Sequence, residues 1–600
     1  MKKTLLFSVA LAGLMLGSCS SSDDLNGGSN NTGSNQSGDG YVSLSLNLPT
    51  RSGSMSRAEN DKFDDGLVDE YAVKNGTLLL FEGANEKDAT FAGAYELKNL
   101  SMNLVGTTTD NITTTTKITQ KINSGLADGS KNFYAIVVLN DNGTLAVDGT
   151  NLKVNGKDFP STKKISDLQN LELTKNASDF KTTGFLMMNA PLSSVAGGAT
   201  APTSATVSIA SKIDKDHIYA TEALAKANSS ATIYVERALA KVDVTATSTT
   251  GNLTDNISVP YTIKGWILDN TNKKTYYLRN TSNSSEWLSL ATNAVAPDKP
   301  AKPYRFVGDT PMESGVSLYR TYWAKDPNYN TTPSSLSTDF STIGKTAPAT
   351  LNNLGEHDYC LENTFDVPNQ NQNVTTRVIV AAQLQNDGKT FYIVNDDEAH
   401  LLTSDGMKDA VKAAFLSNTD VQAWLKTLLN SGMSIEGTDL EVANITDAGN
   451  NTPTITFKST SSSKFKSTTL PTFTADIDNI VKSIKVATYA KGISYYPVRI
   501  KHFGDDLTPW KKSETPKPTV SDGAYPTGTG TGNQAGNYLG RYGVLRNNWY
   551  TVNVEGIKKI GSPVVPEVTG DPDDELAAYI SVKINVLSWA KRTQGATLGE

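Results

Sequence analysis

Two short segments near opposite ends of the chain alternate apolar and polar residues without a break: Tyr41-Val-Ser-Leu-Ser-Leu-Asn-Leu48 and Tyr579-Ile-Ser-Val-Lys-Ile-Asn-Val586. Successive side chains of an extended chain point to opposite faces, so a period of two defines a strand with one buried face and excludes an amphipathic helix. Val42, Leu44, Leu46 and Leu48 share one face of the first, with Ser43, Ser45 and Asn47 on the other. Ile580, Val582, Ile584 and Val586 share one face of the second. Each strand must bury four aliphatic side chains against a sheet that it cannot supply itself.

The interior follows the same pattern. Lys74–Glu82, Asn132–Leu139, Thr206–Ile209, Ala231–Val235 and Arg237–Val244 read as strands of a first domain. Tyr261–Leu268, Thr375–Leu384, Thr390–Val394, Ile493–Ile500 and Trp549–Val554 read as strands of a second. One stretch departs from it: Lys408–Leu429 places Val411, Phe415, Val421, Trp424, Leu425, Leu428 and Leu429 at helical spacing, and a break at Asn418 makes it two short helices. Trp424 is expected to pack in the core. The fold class is therefore mainly β, two β-sandwich domains with a few short helices in the second. A chain of 600 residues with 38% hydrophobic content is long enough for both cores.

Composition narrows function by exclusion. With 55 Lys+Arg against 62 Asp+Glu, no basic excess is available to neutralise phosphates, so neither nucleic acid nor an anionic membrane surface is expected as a partner. Four histidines and two cysteines leave few residues for metal or nucleophilic chemistry, and no cofactor, metal or enzymatic activity is expected.

The N-terminus carries an address. Lys2 and Lys3 precede the apolar run Leu5–Leu16, too short to span a bilayer comfortably, and Leu16-Gly17-Ser18-Cys19 follows as a lipobox. Cleavage before Cys19 would make it an N-terminal residue whose lipidated thiol holds the chain to a membrane. Cys360 is then left without a partner cysteine, so its expected role is packing. Ser20-Ser-Ser-Asp-Asp24 and the Gly/Asn/Ser stretch up to about Gly40 form a tether. A Ser/Asp sequence directly behind a lipid cysteine resembles the surface-export signal of Bacteroidetes lipoproteins.

Taken together, the two end strands suggest a mechanism. The first is followed by a small, polar stretch containing Arg51-Ser52 and Arg57-Ala58. The second is preceded by Pro563–Glu575, a Pro- and acid-rich segment expected to be extended and poor at packing. A protease acting after arginine could remove the first strand, and the second strand of another copy could fill its groove. Four buried aliphatic side chains at about 1.5–3 kcal/mol each make roughly 6–12 kcal/mol available for such a junction.

These residues resemble the type V pilins of Bacteroidales, the fimbrillin or major fimbrial subunit family, in the class that builds the shaft of short fimbriae. The resemblance rests on the lipobox at Cys19, Val235-Glu-Arg-Ala-Leu-Ala-Lys-Val242, Tyr495-Tyr496, Val544-Leu-Arg-Asn-Asn-Trp-Tyr550, Ile557-Lys-Lys-Ile-Gly-Ser-Pro563, and Val582–Trp589. It implies two transthyretin-like sandwiches, export as an outer-membrane lipoprotein, trimming by an arginine-specific protease and polymerisation by donor-strand exchange into a surface fimbria serving adhesion and biofilm formation.

Carried onto this chain, the resemblance divides it into a signal peptide (1–18), a tether and removable strand (19–57), an N-terminal domain (58–244), a C-terminal domain (245–562), and a linker with the donor strand, including Trp589 (563–600). The favoured scissile bond is Arg57-Ala58, with Arg51-Ser52 as the alternative. Implied partners are other copies of the chain, accessory tip and anchor subunits, the protease, and host or bacterial surface receptors.

Two other functions remain open from the residues. An untrimmed chain would be the anchor subunit of the fimbria. A glycan-binding surface lipoprotein would instead expose Trp266, Trp287 or Trp323 as a stacking platform. Arg237 is flanked by strand-forming residues and is expected to be folded away from proteases. Asp64-Asp65 and Asp571/Asp573/Asp574/Glu575 lack EF-hand spacing and read as solvated turns. Gly528-Thr-Gly-Thr-Gly532 matches no phosphate-loop template, and His357-Asp-Tyr-Cys360 lacks metal-ligand spacing.

Overall fold

The computed structural model describes residues 40–48 and 67–573, apart from 503–538 and a series of shorter interior stretches, together with strands at 580–588 and 591–593. The chain is mainly β and its sheets form β-sandwiches.

The first large sheet is built on β1 (Gly40–Leu48), β2 (Gly76–Gly83), β3 (Thr113–Ile122), β4 (Asn132–Leu139), β5 (Met187–Asn189) and β6 (Ala231–Arg237). Its spatial order is Thr90–Glu96, β2, β4, β5, β6, β1, β3, Asn103–Val105, with Ser211–Ile213 also paired to β4. The unbroken apolar run Phe133–Leu139 makes β4 a central strand, because both of its faces are covered. A single hydrophobic core runs from Val42 through this sheet and takes in Tyr359 and Leu361 from the second half of the chain.

At Ala238 the chain passes directly from the first sheet into the second. Here β7 (Leu239–Ala246), β8 (Pro260–Asp269), β9 (His357–Leu361), β10 (Arg377–Leu384), β11 (Phe391–Val394), β12 (Val486–Tyr489), β13 (Ile493–Arg499), β14 (Asn548–Ile557) and β15 (Ile580–Ser588) follow in order. One sheet has the order β9-β7-β14-β15-(Lys591–Thr593). It faces another of order (Thr250–Asn252)-β8-β10-β13. Val242, Val244, Tyr550 and Val552 from the first meet Trp266, Val378, Val380 and Tyr496 from the second in a separate core.

The helical stretch expected around Asn418 is two helices, α1 (Ser404–Ser417) and α2 (Thr419–Leu428). Asn418 separates them because its side-chain oxygen accepts from the Asp420 and Val421 amides, capping the second helix as the first ends. With α3 (Ala475–Ser483) and the hairpin Leu440–Thr446/Thr454–Ser459 they enclose a third core, where Trp424 packs edge-on against Phe473. Short helices also occur in the first half, among them Ala177–Thr183 and Glu222–Ala227.

Candidate functional site

The site is the slot occupied by β1. On one side β1 runs parallel to β6, pairing Leu44 with Ala231 and Asn47 with Tyr234; on the other it runs antiparallel to β3, from Gly40–Ile122 to Leu48–Thr114. Val42, Leu44, Leu46 and Leu48 are at most 1% exposed, and they reach the first core as their period requires. Ahead of the parallel ladder, Tyr41 exchanges backbone hydrogen bonds with Tyr219. The Ser43 amide donates to the Ser230 hydroxyl at 2.8 Å, and the Ser230 amide donates to the Ser43 carbonyl at 2.7 Å.

The opposite face of β1 is less open than alternation alone suggests. The helix Glu222–Ala227 lies against β1 and β3, and Ser43 is fully buried. Its hydroxyl has no hydrogen-bond partner, because Ser230 Oγ already donates to the His217 carbonyl. This strand therefore fills an internal gap in the sheet, and its departure would bare backbone edges on both β6 and β3 and open the apolar slot between them.

Cys19, Arg51, Ser52, Arg57 and Ala58 lie outside the described residues, as do Asp64 and Asp65. At Leu67, the first described residue after β1, the backbone is held by Glu70. The buried Glu70 carboxylate accepts from the Leu67 amide at 2.9 Å, pairs with Lys241 on β7 at 2.8 Å, and accepts a hydrogen bond from the Tyr359 hydroxyl on β9. Arg237 Nε donates to the Glu70 carbonyl at 2.7 Å. Burial raises the carboxyl pKa, but the Lys241 charge and the hydrogen bonds from Lys241 and Tyr359 outweigh it and leave it below its ordinary value.

The Glu-Arg-Ala-Leu-Ala-Lys segment is thus a junction between sheets. Besides Arg237 and Lys241, its Glu236 faces Arg279 at 3.2 Å, and Arg279 also reaches Glu362 at 2.8 Å, which in turn takes Arg546 at 3.1 Å. All of these side chains are buried. The signal for this network was adjacent opposite charges inside an otherwise strand-forming run, since buried charges persist only when paired. Arg237 is fully buried, which agrees with its expected inaccessibility to protease.

The backbone of Ile580, Val582, Ile584 and Val586 lies on β15, paired antiparallel with β14 of the same chain: Ile580 faces Ile557, Val582 faces Val554, Ile584 faces Val552 and Val586 faces Tyr550. Trp589 lies outside the described residues. The segment before this strand packs better than its composition suggests. Val565 is buried with Ile379, Ala381 and Tyr495. The Pro566 carbonyl accepts from Arg377, the Asp571 carbonyl accepts from the Gln372 amide, and the Asp573 amide donates to the Gln370 carbonyl. Proline removes donors but leaves carbonyls free to accept, so an extended Pro-rich run can still be fastened along a sheet edge.

The alternative of a glycan platform on Trp266, Trp287 or Trp323 is overturned: all three are at most 1% exposed. Trp266 Nε1 donates to the Asn353 carbonyl, while Trp287 and Trp323 both donate to the Tyr329 hydroxyl. Among the described residues no group of three or more His, Cys, Asp or Glu is placed to hold a metal ion.

Residues 528–595 match the family described as "Major fimbrial subunit protein type IV, Fimbrillin, C-terminal". No curated protein matches the sequence. Similar solved structures include a candidate cell adhesion protein from Parabacteroides distasonis, 10% identical, covering 92% of this chain and 98% of its own, at a TM-score of 0.34. Another candidate cell adhesion protein, from Bacteroides eggerthii, is 13% identical and covers 94% of this chain and 98% of its own at 0.30. A fimbrial assembly protein from Parabacteroides distasonis is 11% identical and covers 57% and 81% at 0.26. At these TM-scores the likenesses add no weight to the fold, which rests on the sheets themselves.

Proposed function

We propose that the chain is a fimbrial subunit of the fimbrillin kind, a reading supported by the match of residues 528–595 to the fimbrillin C-terminal family, and that it polymerises by exchanging β1 for the C-terminal strand of another copy. It would reach the outer membrane as a lipoprotein through Cys19. An arginine-specific protease would then cut at Arg57-Ala58, or at Arg51-Ser52, and release residues 19–57. Residues 563–600 of a neighbour, through Ile580, Val582, Ile584 and Val586, would supply the replacement.

The single observation that carries this reading is the position of β1. It is an internal strand with partners on both sides and four buried aliphatic side chains, yet it stands next to the N-terminal tether rather than deep within the chain. The Glu70 anchor supports it from the other direction. Beyond the proposed cut, Glu70 is fixed to Lys241 and Tyr359 independently of β1, so loss of β1 need not loosen that junction. The donor must leave β14 of its own chain before it can serve another, which makes assembly an exchange between two paired states.

Mild trypsin treatment of the full-length monomer tests the proposal. A new N-terminus at Ala58 or Ser52 followed by SDS-resistant ladders is the expected result. A trimmed protein that stays monomeric under assembly-permissive conditions refutes it.

A further inference from the structure

Aligned at their tyrosines, the two end strands agree beyond their apolar period. Tyr41, Ser43 and Asn47 recur as Tyr579, Ser581 and Asn585, and each aliphatic position is aliphatic in both. We propose that residues 579–586 of a second copy occupy the β1 slot residue for residue and in the same direction, parallel to β6 and antiparallel to β3, with Ser581 in the place of Ser43. This rests on the strand-exchange reading above and specifies its polarity and register.

The slot itself selects that register. Position 43 is fully enclosed, and its backbone is tied to Ser230 on both the amide and the carbonyl side, so only a small residue fits there. Moving the incoming strand by two residues one way puts Lys583 at that position, an ammonium with no counter-charge described around it; moving it two the other way puts Tyr579 there. Reversing the strand while keeping its apolar face inward puts Asn585 there and inverts both ladders. A slip of one residue turns every aliphatic side chain away from the core.

The proposed placement starts at Tyr579 for a further reason. A Cβ at position 40 would stand 2.7 Å from Ile218 Cγ2, so Ala578 does not extend the copy into the place of Gly40. Lys583 would take the place of the half-exposed Ser45, opposite Lys117. The Lys117 ammonium is exposed and already donates to the Lys226 carbonyl, so the like charges meet in solvent, where their repulsion is weak.

Cross-strand cysteines test the register. Asn47 pairs with Thr115, Ser45 with Lys117 and Ser43 with Thr119. Trimmed, polymerised Asn585→Cys/Thr115→Cys should give ladders that survive boiling without reductant and collapse with it. Covalent ladders from Asn585→Cys/Lys117→Cys instead would establish a two-residue displacement, and from Asn585→Cys/Thr119→Cys a reversed strand; either overturns the proposal, as does polymer that none of the three pairs links. A wild-type chain that fails to polymerise after trimming defeats the underlying exchange reading, and is recognised by the absence of any ladder. Should the cysteine chains fold poorly, single substitutions decide: Ser581→Arg should abolish ladders and Ser581→Ala should keep them, and equal growth of both would refute the placement.

Discussion

The Lys241 ammonium lies 2.8 Å from the Glu70 carboxylate and 3.9 Å above the centre of the Trp549 ring, with both charged side chains at most 2% exposed. Three parts of the chain meet there: the segment between β1 and β2, the strand that enters the second sheet, and the strand that β15 pairs with. Glu70→Ala leaves an ammonium buried without its counter-charge, which should destabilise the subunit by about 3–5 kcal/mol. Glu70→Leu combined with Lys241→Met should recover most of that loss, because the pair as a whole is worth far less than the penalty of breaking it. Urea unfolding of the two variants beside wild type measures both; equal losses in the single and double variants would disprove the account.

The same pair sets a pH dependence. The Glu70 carboxyl has a pKa below its ordinary 4.5 in the folded chain, so its unfolded form binds the proton more readily. Its contribution is complete above pH 4.5 and is lost as pH falls below that value through the folded pKa. Glu70→Gln should therefore flatten the acid side of the stability profile below pH 4.5, measured as urea midpoint against pH, and leave the slope above it unchanged.

Ser43 offers a test with a built-in control. Its hydroxyl is enclosed without a partner, a condition that costs about 1–3 kcal/mol. Ser43→Ala should raise the stability of the untrimmed subunit by about 1 kcal/mol. Trimmed subunit made from the same variant should match trimmed wild type, since residue 43 is then absent. A stabilisation that persists after trimming would show that it arises elsewhere.

How far these features could be read from the residues depends on whether the cause was local. Alternation placed β1, the unbroken run Phe133–Leu139 placed β4, and the break in helical spacing at Asn418 placed the boundary between α1 and α2, each within a few residues. What failed to show depended on elements distant in sequence. Ser43 read as solvent-facing because nothing near it announces that Glu222–Ala227 will cover it. Trp266, Trp287 and Trp323 read as candidates for exposure because composition does not reveal that Asn353 and Tyr329 satisfy their indole N–H groups. The fastening of Val565 and Pro566 depends on Arg377 and Tyr495, and a polar, proline-rich run carries no mark of such partners.

The helical region between β11 and β12 is expected to be separable from the assembly machinery. Every buried member of the third core falls between Val394 and Val486, the residues that pair at the ends of these two strands. Its ion pairs close internally, as in Lys485–Asp396, Lys464–Asp439 and Lys458–Glu441. The ring stack of Phe391 on Tyr489 at 4.5 Å belongs to the second core, below the point of insertion. At about ninety residues the insert is large enough to bury its own core. Replacing 395–485 with Asn-Gly would join Val394 to Val486 through a two-residue turn of the kind that closes antiparallel strands. That deletion loses the contact of Leu401 with the second core, on the order of 1 kcal/mol, and the two backbone hydrogen bonds between Tyr392 and Leu402, whose groups on β11 would turn to solvent, and should otherwise leave the sandwich folded. The shortened chain should trim and form ladders like wild type, with hydrogen-exchange protection retained in β10 and β13. Loss of that protection, or aggregation of the shortened chain, would show instead that the insert is part of the sandwich's own stability.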